Sequence, residues 1–574
     1  MRKELLLLGA FGMLTTATLC AQEFHLQPTP QEYITQKDSV DIPRQYQILS
    51  GNSVQDGPAL PLLRSLMPEE VLGASFRVYI GVKGDKIIKK YQHRIPRKSE
   101  GYFLKIEKDC IVIAGADERG AYYGVQTLAQ LLALDKLPLA EVTDYPDVPY
   151  RGVVEGFYGA PWSQEARIRQ LDFYGRNKRN GYIYGPKDDP YHRTPNWRKP
   201  YPAREGEKLK VLVNRAKENN VIFYWAIHPG QDIRWNEEDR SLLLQKFESM
   251  YQLGVRGFAV FFDDISGEGT KADKQAELLN YIDDHFVKVK RDVAPLILCP
   301  TEYNKSWTDV EGGYLTTLGD KLNEGIKVMW TGDMVVATID KSTLDFVNPL
   351  LKRKAYIWWN FPVSDYVQDH LLLGPVYGNG LDIKDDMSAF VSNPMEHAEA
   401  SKISLYSVAD YTWNMENYDS ETSWKHAVRD LMPLHADYLE IFAAHNSDPG
   451  QNGHRFRREE SVAIQPALSA LLKAYQEKNE IDEDAYRQVA EECRKIIVAA
   501  DGLLASGNEN RPLITEIRPW LIQFKQVGEY GAEVLNMIRL RQQKDAFIDS
   551  YEHARALRVP LRETDAQYKA GLTS

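Results

Sequence analysis

Eight short apolar segments alternate with helical patterns between residues 151 and 430, and this alternation limits the possible folds more than any other feature. Such alternation is typical of βα units that form a parallel sheet. Eight units in about 280 residues fit a (β/α)8 barrel. The alternative is an open doubly wound sheet, but no glycine-rich phosphate loop follows the first segment at the required spacing. We therefore predict an α/β barrel with strands over 152–157, 182–184, 221–227, 257–262, 296–299, 328–330, 356–359 and 403–408.

Different patterns flank the barrel. Residues 22–147 mix strand-like runs with an amphipathic helix over 121–132, which predicts a small N-terminal α/β domain. Pro146 and Pro149 interrupt the pattern, because proline biases its neighbours towards extended backbone. The barrel domain is therefore predicted over 148–430. Residues 431–574 carry long helical periodicities, over 428–443, 463–477, 484–504 and 512–541, and predict a helical bundle domain.

The first 21 residues have the pattern of an export signal. Arg2 and Lys3 precede an apolar run over 5–14, and small or polar residues follow to Ala21. We expect cleavage after Ala21 and an exported protein, periplasmic or secreted. The alternative is a lipid anchor on Cys20, although Leu19 is large for the position before a lipidated cysteine. The apolar run is shorter than the roughly 20 residues of a membrane span, and no later segment supplies one.

The net charge and the cysteine content argue against one class of partner and against a disulfide framework. With 70 basic and 81 acidic residues, the net charge is −11, which argues against binding to nucleic acid. Cys110, Cys299 and Cys493 are an odd number of widely spaced thiols, so we predict buried apolar residues and no disulfide framework. No spacing of His, Asp and Glu indicates a metal site, and no cofactor is predicted. The oligomeric state stays open.

The active site of such a barrel lies where the strands end, and two adjacent carboxylates mark one strand end. Asp263 and Asp264 directly follow the apolar run 258–262. Two like charges this close should have different pKa values, leaving one as a standing anion and one as a proton donor. Glycosidic bond cleavage needs that pair of roles. The structural alternative is that either aspartate only caps the following helix.

Other strand ends carry aromatic and hydrogen-bonding side chains suited to a sugar, which needs flat apolar faces and fixed polar groups. Trp358 and Trp359 should point to opposite sides of their strand, so that at most one faces the pocket. His228, before a Pro-Gly pair, is interpreted as a structural histidine. The side chains that favour a sugar pocket are Tyr158, Lys187, Tyr303, Trp358 and Asn360.

Five segments resemble those of glycoside hydrolase family 84, the bacterial O-GlcNAcase-like and hyaluronidase-like β-N-acetylglucosaminidases. They are 152–162 (GVVEGFYGAPW), 184–191 (YGPKDDPY), 225–231 (WAIHPGQ), 261–267 (FFDDISG) and 356–365 (YIWWNFPVSD). The resemblance implies retaining hydrolysis in which the carbonyl oxygen of the substrate's own 2-acetamido group attacks the anomeric carbon and forms an oxazoline.

The resemblance also implies residue roles. Asp263 would orient the acetamide and stabilise the oxazolinium charge, and Asp264 would be the general acid and base. Tyr303 would donate to the acetamide oxygen, while Trp358 and Thr331 would line the acetyl pocket. The other implied substrate-binding residues are Gly156, Lys187, Asp365 and Asn393 for the sugar hydroxyls, and Tyr158, Val335 and Asn360 in the pocket wall.

The function implied is an exo-acting β-N-acetylglucosaminidase that removes terminal GlcNAc, including GlcNAc on Ser or Thr, from glycans or glycoproteins. An enzyme of the same mechanism that degrades hyaluronan or mucin glycans is the alternative. A non-catalytic glycan-binding protein is the alternative from another class.

Overall fold

The computed structural model describes residues 25–543 and 545–568. The predicted signal peptide and Cys20 lie outside these residues. The described chain forms an N-terminal sheet domain, a closed barrel and a helical region. Cys110, Cys299 and Cys493 are buried free thiols. Within the described residues, no helix is both long enough and apolar enough to cross a membrane.

The N-terminal domain is a six-stranded sheet in the order β1-β6-β4-β5-β3-β2, with two helices. Asp117 caps the second helix, because its carboxylate accepts a hydrogen bond from the Gly120 amide. The strands are β1 (Glu32–Val40), β2 (Gln47–Ser50), β3 (Arg77–Val82), β4 (Tyr102–Ile106), β5 (Cys110–Gly115) and β6 (Leu137–Asp144), and the helices are α1 (Ala59–Leu66) and α2 (Glu118–Leu132).

Eight parallel strands form the closed barrel, so the predicted fold class is confirmed. They are β7 (Tyr150–Glu155), β8 (Gly181–Tyr184), β9 (Ile222–Ile227), β10 (Gly257–Phe261), β11 (Ile297–Cys299), β12 (Lys327–Trp330), β13 (Ala355–Trp359) and β14 (Met387–Ser392). The helices around them are α3 (Gln164–Arg176), α4 (Ala203–Glu218), α5 (Glu237–Gln252), α6 (Ala272–Ile282), α7 (Tyr314–Lys321), α8 (Lys341–Leu351) and α9 (Ala398–Trp413).

The prediction of an eighth strand over 403–408 is wrong. The eighth strand is β14, which pairs with β13 on one side and β7 on the other, and residues 403–408 lie inside α9. All 16 residues of α9 are buried, so its sequence carries no polar face. A short apolar stretch of that kind cannot be assigned to helix or strand by periodicity alone.

Helices continue the chain after the barrel: α10 (Ser420–Leu431), α11 (Ala436–Ala444), α12 (Gln465–Lys478), α13 (Glu483–Ala505), α14 (Arg511–Gln542) and α15 (Ile548–Tyr568). The single helix predicted over 428–443 is wrong, because it is divided between α10 and α11. Pro433 lies at the break, where proline has no amide hydrogen to continue a helix. The sequence pattern gave no indication of α15.

A buried polar cluster joins the N-terminal sheet to the barrel. Asp144, at the end of β6, accepts hydrogen bonds from the Tyr102 hydroxyl at 2.6 Å and the Trp413 indole at 2.8 Å. The ammonium group of Lys178 lies 3.0 Å from the same carboxylate. Asp144 and Lys178 are almost completely buried, so each charge depends on the other for compensation.

Candidate active site

A cavity of about 380 Å³ opens at the C-terminal ends of the barrel strands. All twelve residues predicted for the site line it: Gly156, Tyr158, Lys187, Asp263, Asp264, Tyr303, Thr331, Val335, Trp358, Asn360, Asp365 and Asn393. They come from the ends of seven different strands, which is how this fold brings distant residues together. The roles implied for them stay predictions.

The two aspartates follow β10 and have opposite environments. Asp263 is buried, whereas Asp264 is exposed to the cavity. Asp264 has φ +52°, in the left-handed region that non-glycine residues rarely adopt. The side-chain amide of Gln231 donates a hydrogen bond to the Asp264 carbonyl oxygen at 3.1 Å and stabilises this turn. The turn directs the two carboxylates to different partners.

Asp263 is a compensated anion. Lys187 Nζ lies 3.0 Å from its Oδ2, and both side chains are buried. Burial alone would raise the pKa of Asp263, but the charges of Lys187 and His228 and the hydrogen bond from Lys187 lower it to about 2. The carboxylate is therefore ionised at neutral pH, as expected for the standing anion of the pair.

Asp264 is held by two tyrosines. The Tyr303 hydroxyl donates to its Oδ1 at 2.9 Å, and the Tyr158 hydroxyl donates to its Oδ2 at 3.0 Å. Burial, followed by the charge of Asp264, raises the pKa of Tyr303 well above its usual range. Both phenols therefore stay protonated and fix the carboxyl group from two sides.

Trp358 and a network of two asparagines form the apolar end of the cavity. The Trp358 indole donates to Asn360 Oδ1 at 2.8 Å, and the Asn393 amide donates to the same oxygen at 3.0 Å. Asn360 Nδ2 donates to the Val335 carbonyl oxygen at 2.7 Å. Gly156 packs against the indole, because an added Cβ would lie 2.6 Å from the ring. The position of the Trp358 ring is therefore fixed on both sides.

The structure also shows which of the two tryptophans faces the cavity. Trp358 packs with the residues inside the barrel, and Trp359 packs with the outer layer against Phe361 and Phe390. This arrangement follows from the alternation of side chains along β13 and agrees with the prediction that at most one of the two faces the pocket.

Asp365 and Thr331 join neighbouring loops. Asp365 Oδ2 accepts a hydrogen bond from the Tyr158 amide at 2.9 Å, and burial raises the pKa of Asp365. The Thr331 hydroxyl donates to the Met334 carbonyl oxygen at 3.0 Å, and the Thr331 amide donates to the Tyr303 carbonyl oxygen at 2.8 Å. These contacts set the rim of the cavity.

His228 supports Asp263 from below. Its Nε2 lies 2.8 Å from the Asp263 carbonyl oxygen and 3.5 Å from Oδ1. Because a carbonyl oxygen only accepts, Nε2 carries the proton. Burial lowers the pKa of His228. The interpretation of His228 as a structural histidine stays a prediction, and the structure adds that His228 contacts Asp263.

Six further lining residues were not predicted: Cys299, Trp307, Val336, Val363, Tyr366 and His454. Trp307 lies four residues after Tyr303, and the two rings are 4.9 Å apart, so the same strand end carried a signal for it. His454 comes from the segment between α11 and α12 and packs against Tyr366 at 4.9 Å. Strand ends could not indicate a residue that lies outside the barrel.

The structure describes one group of three side chains close enough to share a metal ion, Glu107, Asp109 and Cys110. It belongs to the N-terminal domain and not to the cavity. Cys110 donates to the Glu107 carboxylate at 3.3 Å, and burial raises the pKa of its thiol to about 12. Such a thiol is a poor source of the thiolate that binds metals.

Family comparisons cover almost the whole chain. A model described as beta-N-acetylglucosaminidase matches residues 151–444. A model described as the post-catalytic domain of bacterial GH84 matches residues 460–573, and one described as domain 2 of glycosyl hydrolase family 20 matches residues 23–145.

Individual proteins and solved structures also match the chain. Protein O-GlcNAcase of Rattus norvegicus is 35% identical over 276 residues, covering 46% of this chain and 30% of that protein. The match thus spans less than a third of the curated relative. The structure of CpGH84B is 32% identical, with a TM-score of 0.87 over 95% of this chain and 97% of that one. A variant of the Thermobaculum terrenum O-GlcNAc hydrolase is 28% identical, with a TM-score of 0.64 over 73% of this chain and 90% of that one.

Proposed function

The chain belongs to glycoside hydrolase family 84, a family of β-N-acetylglucosaminidases, and we propose from this that it hydrolyses terminal β-linked GlcNAc as a retaining exo-enzyme. Substrate-assisted catalysis is the general mechanism of the family. The observation that carries the proposal is the division between the two aspartates. Asp263 is buried and paired with Lys187, and Asp264 faces the cavity between two tyrosine hydroxyls.

In the first step, the carbonyl oxygen of the 2-acetamido group forms a bond to the anomeric carbon as the glycosidic bond breaks. Asp264 donates its proton to the departing oxygen. Asp263 accepts the acetamide N–H and balances the positive charge of the oxazolinium ion. Among the described residues, none donates a hydrogen bond to Oδ1 of Asp263, which leaves one carboxylate oxygen for that contact.

In the second step, Asp264 removes a proton from water, and the oxygen of that water forms the new bond to the anomeric carbon. The oxazoline ring opens and restores the acetamide. The product keeps the β configuration, because two displacements have occurred at one carbon. Trp358 would pack against the acetyl methyl group throughout. The Tyr303 hydroxyl, which donates to Asp264 in this structure, would turn to donate to the acetamide oxygen when substrate binds.

The exo mode is proposed from Asp365. Its carboxylate lies beside Tyr158 at the rim, where it could accept hydrogen bonds from the hydroxyls of a terminal sugar. An endo-enzyme acting on hyaluronan needs an open cleft, and mucin glycans remain an alternative source of terminal GlcNAc. A fall in polymer viscosity without release of monosaccharide would contradict the exo mode.

From the pattern of residues 1–21 we also propose that the protein is exported to the periplasm or secreted. Its substrates would then be glycans or glycoproteins outside the cytoplasm. Fractionation of the producing cell, with mass spectrometry of the mature N-terminus, would separate cleavage after Ala21 from lipidation at Cys20.

The first test compares an aryl β-N-acetylglucosaminide with the analogue in which a hydroxyl replaces the acetamide. We expect turnover of the N-acetyl substrate alone. Asp264→Asn should be partly rescued by a better leaving group, and Asp263→Asn should not. Asp273→Asn, an exposed aspartate on α6, is the matched control. Equal turnover of the hydroxyl analogue would make an enzyme carboxylate the nucleophile, and binding without turnover would support the non-catalytic alternative.

A further inference from the structure

The loop that follows β7, residues 156–163, carries Tyr158 and is held from outside the cavity by Glu396. Glu396 Oε2 accepts a hydrogen bond from the Ala160 amide at 2.5 Å. Gly159 has φ +131°, and a Cβ added there would lie 2.5 Å from the same oxygen. The Trp162 indole donates to the Met395 carbonyl oxygen at 3.2 Å. The loop therefore fits closely against the segment that joins β14 to α9.

Helix α14 holds the same segment from its other side. Glu516 accepts hydrogen bonds from the amides of Ala400 at 2.8 Å and Glu399 at 3.2 Å. These amides belong to the first turn of α9, which begins two residues after Glu396. Amides in the first turn of a helix have no partner within the helix, so an outside carboxylate satisfies them.

One turn further along α14, Trp520 contacts a second active-site loop. Its indole donates to the Asp369 carbonyl oxygen at 3.0 Å, and its ring packs against His397 at 4.8 Å. Asp369 lies four residues after Asp365, in the loop that follows β13. Since Asp365 accepts the Tyr158 amide at 2.9 Å, the two loops held by α14 also bind each other.

We propose that Glu396, together with Glu516 and Trp520 of α14, positions the 156–163 loop so that the Tyr158 hydroxyl stays on Asp264. The effect on turnover rests on the proposed function, in which Asp264 is the acid and base. Glu396 does not line the cavity and acts through the loop, so it is a positioning residue. Helix α14, which lies in the helical region after the barrel, then helps to orient the Asp264 carboxyl group.

Amide hydrogen exchange tests the positioning without any assay of activity. We expect residues 156–163 to exchange at least about ten-fold faster in Glu396→Ala than in the wild type, because the hydrogen bond to Ala160 is lost. Glu396→Gln keeps an acceptor and should exchange at nearly the wild-type rate. Glu416→Ala, an exposed glutamate after α9, is the control. Unchanged exchange in Glu396→Ala would overturn the proposal.

Two variants test the contribution of α14. Glu516→Ala and Trp520→Phe should each accelerate exchange of residues 156–163, whereas Glu529→Ala on the same helix should not. Trp520→Phe removes the indole N–H and keeps an aromatic ring, so it preserves most of the packing. Faster exchange confined to α9, with the loop unchanged, would overturn the link to the helical region.

Kinetics then test whether the effect passes through Tyr158. We expect kcat/KM to fall about five-fold in Glu396→Ala and about ten-fold in Tyr158→Phe. In the double variant kcat/KM should fall about ten- to fifteen-fold. Once the Tyr158 hydroxyl is absent, losing the Glu396 contact that positions it should have little further effect. A multiplicative loss of about fifty-fold would overturn the proposal. An inactive wild type would contradict the proposed function instead. The hydrogen-exchange experiment would still test whether Glu396 positions residues 156–163.

Discussion

Lys187 Nζ lies 3.0 Å from Oδ2 of Asp263, and this buried ion pair makes two aspartates that are adjacent in sequence chemically different. The cation keeps Asp263 ionised in a place where burial would otherwise favour the neutral acid. Among the described residues, no cation contacts Asp264 directly, and neutral hydroxyl groups hold its carboxyl group. The site thus contains one ionised carboxylate paired with a cation beside one carboxyl group that two hydroxyl groups hold.

Lys187→Met is expected to move the acid limb of the pH dependence of kcat/KM to higher pH. The pKa of Asp263, about 2 in the folded protein, lies below its ordinary 3.8, so the pair stabilises the fold above pH 3.8. That stabilisation is lost as the pH falls from 3.8 towards 2. Without the cation, burial raises the pKa of Asp263, and the anion disappears at a higher pH.

The measurement is kcat/KM from pH 3 to 8 for Lys187→Met and for the control Lys305→Met, an exposed lysine near the cavity. We expect a loss on the order of 100-fold at neutral pH, because an uncompensated buried carboxylate is costly. An acid limb identical in the wild type and Lys187→Met would show that Lys187 does not set the charge of Asp263.

Tyr303→Phe is expected to lower kcat/KM about 100-fold, and Tyr158→Phe about ten-fold. Both phenols donate to Asp264, but Tyr303 is buried and Tyr158 is 46% exposed, so water can replace only the second hydroxyl. Steady-state kinetics on one aryl substrate, with melting temperatures to show that both variants fold, are sufficient. A larger loss in Tyr158→Phe would reverse this assignment.

Gly156→Ala is expected to displace the Trp358 ring. The added Cβ would lie 2.6 Å from the indole, closer than two carbons can approach. Since the ring is also fixed by its hydrogen bond to Asn360, we expect KM to rise at least ten-fold. Gly325→Ala is the control, because a Cβ there meets nothing within 4 Å. Unaltered KM in Gly156→Ala would mean that Trp358 does not line the bound acetyl group.

Lys178→Met is expected to destabilise the protein by about 3–5 kcal/mol, because it leaves Asp144 buried without its cation. The midpoint of denaturant unfolding measures the change. Lys425→Met removes an exposed ion pair with Glu421 and should have little effect. A small change in Lys178→Met would show that Tyr102 and Trp413 are sufficient to hold the Asp144 carboxylate.

The alternation of apolar and helical segments predicted the barrel, and the strand ends predicted Tyr158, Lys187, Asp263, Asp264, Tyr303, Trp358 and Asn360 for the site, whereas the other five residues were implied by the resemblance to family 84. Because the C-terminal ends of the strands meet at one face of the barrel, residues that follow different strands are expected to lie close together. Asn393 follows β14, a strand that the apolar pattern did not identify, so the resemblance alone indicated this residue.

The remaining parts depend on contacts between distant segments. His454 reaches the cavity from beyond α11, and no local pattern indicates which surface a connecting segment will cover. The environment of His228 likewise depends on the turn at Asp264. Aspartate adopts a positive φ more often than most residues, but an aspartate after a strand does not by itself predict one. The absence of a polar face in α9 follows from its neighbours on every side, which the sequence of the helix does not identify.

The cluster around Asp144 has a consequence for how such chains can diversify. The carboxylate and Tyr102 belong to the N-terminal sheet, whereas Lys178 and Trp413 lie on either side of most of the barrel sequence. A genetic crossover between the two domains would separate the acid from its base and leave both buried. A recombinant that exchanges the N-terminal domain is therefore expected to be stable only if it keeps a matching set of all four residues.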